Sequence, residues 1–219
     1  EGLRAIVGSA ALRALFLALV VLGIGEGVMK ALIAVFVNRE LHGGTLELGT
    51  LMSAQAVGGL AGGLVATWLA GRWRSARMVT VGLVAIGAID LLIFNYPRWF
   101  TALAGEIGLF AVVGIPAAVA MTGAITLLQT EVADAYRGRV FAAATVAQSA
   151  AMLIGTAIAA TATGPLDVIA VLTVQAAGYL AAGVLFGLLT RHGPGSPPPV
   201  PAPDREPARV TVTVGDRRQ

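Results

Sequence analysis

The chain has 219 residues, of which 57% are hydrophobic and only 12% are charged, and its mean hydropathy is +0.82. A soluble domain carries roughly 25% charged residues because its surface must be solvated, so this composition excludes an ordinary soluble enzyme and an acidic disordered protein. The absence of cysteine excludes disulfides, thiolate metal ligands and cysteine nucleophiles. We therefore expect a protein whose solvent is the lipid bilayer.

Six apolar segments follow one another along residues 1–190, each near the ~20 residues that a helix needs to cross the hydrocarbon core. The predicted membrane-spanning helices are residues 14–37, 48–70, 77–95, 100–128, 140–163 and 167–189. Polar or turn-rich connectors separate them, and Asp167 is placed to cap the sixth helix. The predicted fold class is an all-α membrane protein with a six-helix bundle over residues 1–190.

The arginines at the helix ends predict the orientation of the bundle. Arg39 and Arg98 lie on one side, and eight arginines lie on the other, namely Arg4, Arg13, Arg72, Arg74, Arg77, Arg137, Arg139 and Arg191. By the positive-inside rule the second side and both termini are cytoplasmic. The bias towards Arg, Ala and Gly is typical of a GC-rich bacterial genome, which predicts a bacterial cytoplasmic membrane. The basic residues form no continuous stripe, so nucleic acid is not an expected partner.

Residues 191–219 differ from the body in composition. They contain seven of the ten prolines, including Pro197-Pro198-Pro199, and cannot form a core. We expect a disordered cytoplasmic tail, with docking of the proline run to a partner as an alternative. The chain begins with Glu1 instead of Met, which suggests that an upstream segment has been removed.

Charged and polar residues within the apolar segments are the candidate functional residues, because their burial in lipid is costly. Glu26 and Lys30 lie four residues apart on one face of the first helix, and Glu106 lies in the fourth. One interpretation is an ion pair that joins helices; the other is a group that binds and releases protons in a water-filled cavity. Asp90 is expected near the outer interface in a structural role. The weaker candidates are Gln55, Asp90 and Gln148.

Other features of the helices predict packing. Gly58-Gly59 and Gly62-Gly63 in the second helix predict close contact with a neighbouring helix, and Pro116 predicts a kink in the fourth. Gln148 and Gln175 are expected to form interhelical hydrogen bonds. No catalytic, metal-binding, nucleotide-binding or cofactor-binding motif occurs, so we expect neither an enzyme nor a bound cofactor.

The connector after the second helix reads Leu-Ala-Gly-Arg-Trp-Arg-Ser-Ala-Arg from Leu69 to Arg77. It resembles the loop motif G-x-L-a-D-R-x-G-R-R of the major facilitator superfamily. Arg72 and Arg77 match basic positions of that motif, whereas Gly71 stands in place of its acidic residue.

The connector after the fourth helix reads Gln-Thr-Glu-Val-Ala-Asp-Ala-Tyr-Arg-Gly-Arg-Val-Phe from Gln129 to Phe141. It is similar to the Q-x-x-v-p-d-x-x-R-G-R-v-f segment of the macrolide-efflux and enterobactin-exporter branch of that superfamily. Asp134 and Arg137 are three residues apart and can pair at the membrane surface, and Arg139 completes the motif.

The resemblance covers residues 1–190 and implies the C-terminal six helices of a twelve-helix transporter, built as three-plus-three inverted repeats. It implies that the first and fourth helices line the central cavity and that the third and sixth lie at the periphery. It also implies an N-terminal half, or a second copy of this half, as partner. The expected function is proton-coupled efflux of a small amphipathic compound by alternating access. The alternative is a membrane anchor or scaffold that tethers a cytosolic partner or a fused domain.

Overall fold

A computed structural model describes residues 10–100, 102–162 and 167–191. Within these ranges the chain forms six long helices: α1 (Ala10–Arg39), α2 (Thr45–Ala70), α3 (Ser75–Asn95), α4 (Leu103–Glu131), α5 (Asp134–Ala162) and α6 (Val168–Arg191). A short 3₁₀ helix (Tyr96–Arg98) follows α3. All six long helices are long and apolar enough to cross a membrane. The predicted all-α membrane fold is confirmed.

The helices extend beyond the predicted apolar segments at most of their ends. The largest difference lies between α4 and α5, where the predicted connector of residues 129–139 shrinks to Val132 and Ala133. The charged residues on both sides of this connector therefore lie in helical turns, because a helix can continue past the hydrocarbon core into the membrane–water interface. Pro116 lies inside α4, which continues through it. The predicted tail lies outside the described residues, except for Arg191 at the end of α6.

The helix contacts repeat within the bundle. α1 packs on α5 and α6, α4 packs on α2 and α3, and α3 packs on α6. Exchanging α1 with α4, α2 with α5 and α3 with α6 maps this set of contacts onto itself. Each repeat contains three helices, an odd number, so successive repeats enter the membrane from opposite sides. The six helices thus form the two inverted three-helix repeats expected from the sequence.

Glycines bring the equivalent helix pairs into close contact. A Cβ atom on Gly58 of α2 would overlap the carbonyl of Ala111 in α4, and one on Gly155 of α5 would overlap the carbonyl of Ile24 in α1. A Cβ atom on Gly27 of α1 would likewise overlap the carbonyl of Met152 in α5. Backbones approach this closely only where no side chain intervenes. The predicted close packing of α2 is therefore on α4, and α1 with α5 repeats it.

Burial differs between the helices in a way that the resemblance did not imply. In α1, α3, α4 and α6 about 44% of the most apolar segment is buried, compared with 17% in α2 and α5. The expectation that the third and sixth helices lie at the periphery refers to a complete transporter, so burial within these six helices does not test it and it stays a prediction. α3 and α6 each contact two major neighbours, whereas α2 and α5 each pack mainly on one.

Candidate functional site

An open cavity of about 360 Å³ lies among the helices. This volume is within the range of small-molecule sites, roughly 300–1,000 Å³. Its apolar wall comes mainly from α1, α3 and α4, including Leu19, Leu22, Leu83, Ile86, Val113, Ala117, Ala120 and Met121. The polar groups on its wall include Glu26, Lys30, Gln55, Asp90, Gln148 and Tyr179. The cavity therefore combines a large apolar surface with a few polar and charged side chains.

Five of the six predicted intramembrane candidates line this one cavity, although they come from four helices. α1 and α4 both contribute to the wall, as the resemblance implied. α3 contributes as well, through four residues that include Asp90, and α5 contributes Gln148. The sequence thus identified most of the polar groups of the cavity. It did not indicate that α3 shares in the wall.

Glu26 and Lys30 form an ion pair within α1. The Nζ atom of Lys30 lies 3.3 Å from Oε1 of Glu26, and it also lies 3.8 Å from the sulfur of Met152 in α5. The side chain of Glu26 is 46% exposed and that of Lys30 is 61% exposed. The pair therefore stands at the cavity wall with access to whatever occupies the space, which fits both interpretations of this pair.

Asp90 is buried against α6, where the Nε2 atom of Gln175 donates a hydrogen bond to its Oδ2 at 3.5 Å. Only 4% of Asp90 is exposed. The expected interhelical hydrogen bond of Gln175 is present. Asp90 lies near the C-terminal end of α3, and it lines the cavity and contacts α6; its predicted place near the outer interface stays a prediction.

Glu106 lies apart from the other candidates. It is in the first turn of α4 and is completely buried. Among the described residues, neither of its carboxylate oxygens has a hydrogen-bond partner. Glu106 lies two turns of α4 before Val113, the most N-terminal α4 residue of the cavity wall, and buried Phe110 occupies the turn between them. Glu106 is therefore not a wall residue of the cavity, and its predicted proton-binding role remains a prediction.

Tyr179 of α6 is a cavity residue that sequence reasoning missed. Its hydroxyl donates a hydrogen bond to the carbonyl of Leu22 in α1 at 3.2 Å, and its ring occupies the space that a side chain at Gly25 would fill. Gly25 was the available signal, because a glycine at this position leaves space beside α1 for a large side chain. Met29 and Met152 were also missed and line the cavity.

The loop between α4 and α5 is held by Arg137. Its Nη1 atom lies 2.7 Å from Oδ1 of Asp134, which confirms the predicted pairing of these residues. The guanidinium also donates to the carbonyl of Gln129 at 2.7 Å and to that of Val132 at 3.2 Å. One side chain therefore closes the end of α4 onto the start of α5, and this explains why the connector has only two residues.

The arginines of the other loop motif lie on aromatic rings. Arg72 stacks over Trp68 at 4.2 Å and donates to its carbonyl at 3.1 Å. Arg77 stacks over Trp73 at 4.4 Å. Cation–π contacts of this kind hold a guanidinium at the membrane surface without an acidic partner, which fits a motif in which glycine replaces the acidic residue. Arg139 is exposed.

The fold and the cavity define a class: a multi-pass membrane protein made of inverted helical repeats around a polar-and-apolar cavity. The family model of the Major Facilitator Superfamily matches residues 15–217, and the chain belongs to this superfamily. Its six described spans correspond to half of the family fold. Searches among curated proteins and among solved structures give no significant match. Membership assigns the chain to secondary membrane transport, in a family of transporters and not of enzymes.

Proposed function

We propose that the chain is the C-terminal half of a proton-coupled exporter of small amphipathic compounds. The loop from Gln129 to Phe141 supports placing it in the macrolide-efflux and enterobactin-exporter branch. The observation that carries the proposal is the cavity itself, in which an ion pair and a buried carboxylate stand against a mostly apolar wall. Such a wall binds the apolar part of a ligand by excluding water, while the charged groups bind its polar end.

Glu26 is the proposed proton site. Its carboxylate is partly exposed to the cavity and lies 3.3 Å from Lys30. Protonation of Glu26 removes its charge, whereas a cationic or hydrogen-bond-donating group of a substrate binds this carboxylate in its charged form. Proton and substrate therefore compete for Glu26, which is the coupling that an antiporter needs. Asp90 is the second carboxylate on this wall.

Alternating access requires a second bundle to close the cavity, and we propose that it packs on α2 and α5. Both helices carry apolar side chains that are more than half exposed: Val57, Leu60, Leu64, Trp68, Val146, Leu153 and Ile154. Lipid tails alone would also cover these apolar side chains. The polar side chains of Thr145 and Ser149 on α5 line the open cavity, and a protein partner that closes the cavity would cover them together with the apolar side chains. The partner is an N-terminal six-helix half, with a second copy of this half as the alternative.

We also propose the orientation given by the arginine distribution, with both termini in the cytoplasm of a bacterium. In this orientation the α2–α3 and α4–α5 loops lie at the cytoplasmic end. Arg72, Arg77 and Arg139 then lie where the two bundles separate and meet during the transport cycle. The Arg137–Asp134 pair keeps the α4–α5 loop compact while the bundles rock.

The test is Glu26→Gln in the complete transporter, reconstituted in proteoliposomes with an imposed proton gradient. Glutamine keeps the shape of the side chain but cannot bind and release a proton. Proton-driven efflux of amphipathic dyes is expected to fall at least tenfold, with membrane insertion unchanged. Glu40→Gln is the matched control, since Glu40 follows the end of α1 and does not line the cavity. Wild-type efflux in Glu26→Gln would eliminate the assignment.

The partner proposal has its own test. Cysteines placed at Leu60 and Leu153 should form crosslinks to the other bundle in native membranes. Crosslinks to an N-terminal half within one polypeptide support the twelve-helix arrangement, and crosslinks between copies support the homodimer. A lack of protein crosslinks at both positions would show that lipid covers these faces.

A further inference from the structure

We propose that the arginine-rich cleft between α3 and α6 binds a phosphate-bearing anion, with the headgroup of an anionic phospholipid as the main source. The cleft is separate from the transport cavity and shares no residue with it. Its volume is about 360 Å³, and it is lined by Arg74, Ala76, Arg77, Thr80, Val81, Gly187, Thr190 and Arg191. The inference does not depend on what the transport cavity carries.

Three guanidinium groups converge on this cleft from two helices. Arg74 precedes α3, Arg77 lies in its first turn, and Arg191 is the last residue of α6. No acidic side chain lines the cleft within the described part of the chain. The three arginines also form no ion pair with any described carboxylate. Three positive charges gathered without a counter-charge from the described residues repel one another, and a bound anion relieves this repulsion.

The cleft has the chemistry of a phosphate site. Guanidinium groups bind phosphate oxygens through paired, charge-assisted hydrogen bonds. The N-terminal end of α3 adds a partial positive charge beside Arg74 and Arg77. Thr80 and Thr190 also line the cleft, and their hydroxyls donate to carbonyls of their own helices. Arg77 is already stacked on Trp73, which limits the freedom that its guanidinium loses on binding.

The position of the cleft favours a lipid over a soluble phosphate. Basic pockets between transmembrane helices at the cytoplasmic side are typical headgroup sites. The arginines are at the helix ends, whereas Val81 on the same wall lies two turns into α3 and is 41% exposed. Leu188 and Leu189 in the last turn of α6 are also about half exposed. A headgroup at the arginines would thus leave its acyl chains along an apolar surface.

The experiment is native mass spectrometry of the complete protein in detergent, titrated separately with phosphatidylglycerol, phosphatidylcholine and inorganic phosphate. We expect the wild type to bind one phosphatidylglycerol at low lipid concentration, and Arg74→Gln/Arg77→Gln/Arg191→Gln to bind it at least about tenfold more weakly. Binding of phosphatidylcholine should be weak and equal in both. A control variant, Arg39→Gln/Arg72→Gln/Arg139→Gln, loses the same charge outside the cleft and should retain wild-type affinity.

The separate titrations distinguish a lipid headgroup from a soluble phosphate. Displacement of phosphatidylglycerol by millimolar inorganic phosphate supports the site and makes a soluble phosphate its occupant; retention of the lipid supports the headgroup. If the triple variant does not fold, the single variants Arg74→Gln and Arg191→Gln are measured, and each should weaken binding severalfold. Equal affinity in the cleft variants and their controls would overturn the proposal, because the binding would then follow net charge alone.

Discussion

Gln175 of α6 donates a hydrogen bond to the carboxylate of Asp90 in α3 across a buried helix interface, at 3.5 Å. It joins the third helix of one repeat to the third helix of the other. The other amide atom, Oε1 of Gln175, has no hydrogen-bond partner among the described residues. The contact is therefore a polar joint at the place where the two repeats meet along their equivalent helices.

The first prediction concerns this joint. Gln175→Leu removes the only donor that the described residues offer to Asp90, and we expect a loss of about 1–3 kcal/mol in unfolding free energy. The double variant Asp90→Leu/Gln175→Leu should recover much of this loss, since no buried polar atom then remains unpaired. Gln55→Leu on the cavity wall is the control and should be nearly neutral. Denaturant unfolding in detergent measures all three; additive losses in the double variant would contradict the pairing.

The second prediction separates the two interpretations of the ion pair in α1. Exchanging the residues, as Glu26→Lys/Lys30→Glu, keeps the i,i+4 pair and should keep thermal stability within about 1 kcal/mol of wild type. Transport should nevertheless be lost, because the carboxylate moves one turn along α1. Lys30→Met alone should lower stability by leaving Glu26 unpaired. If the exchanged variant transports normally, the pair serves only assembly.

The third prediction uses neighbouring glycines in α2. Gly58→Val should separate α2 from α4 and cost several kcal/mol, because its Cβ would overlap the carbonyl of Ala111. Gly59→Val is the matched control, since the described residues leave open space around Gly59. It should leave the stability of these six helices unchanged. Thermal unfolding gives both values, and equal losses at the two positions would contradict the packing.

The fourth prediction concerns the α4–α5 loop. Arg137→Lys should destabilise the loop nearly as much as Arg137→Gln, because an ammonium cannot bond Asp134 and two carbonyls in the same planar arrangement. Asp134→Asn should cost less, as this carboxylate is 86% exposed. Arg139→Gln is the control. Limited proteolysis between α4 and α5 reports the effect; full protection in the lysine variant would show that charge alone holds the loop.

Much of the fold was predictable because each helix must be apolar along its whole length in lipid. Helix ends were less predictable: Asp134 and Arg137 read as a loop by charge, yet they form the first turn of α5. The hydrogen bonds of Arg137 to the preceding carbonyls depend on the backbone of the turn, which hydropathy does not describe.

The candidate site, too, was only partly predictable from the sequence. Glu26, Lys30 and Asp90 were found because a charge within lipid is costly, whatever surrounds it. Tyr179 was missed because an aromatic residue in an apolar helix is unremarkable until its neighbours are known. Glu106 lies on nearly the same face of α4 as Val113, but about 10 Å further along the helix at 1.5 Å per residue. Glu106 therefore points to the same side of α4 as the cavity wall, but it lies too far along the helix to line the cavity.

The two repeats share their backbone contacts but not the charges on the cavity wall. Glu26, Lys30 and Asp90 all belong to α1 and α3, while α4 contributes an uncharged wall. A substitution at Gly58 or Gly155 would disturb how the halves of the bundle are assembled, whereas a substitution at the exposed Met121 on the cavity face of α4 would alter what fits beside it. The glycine contacts that assemble the two repeats thus lie apart from the exposed wall position that shapes the cavity, and a change at Met121 alters the space for a cargo without a new helix arrangement.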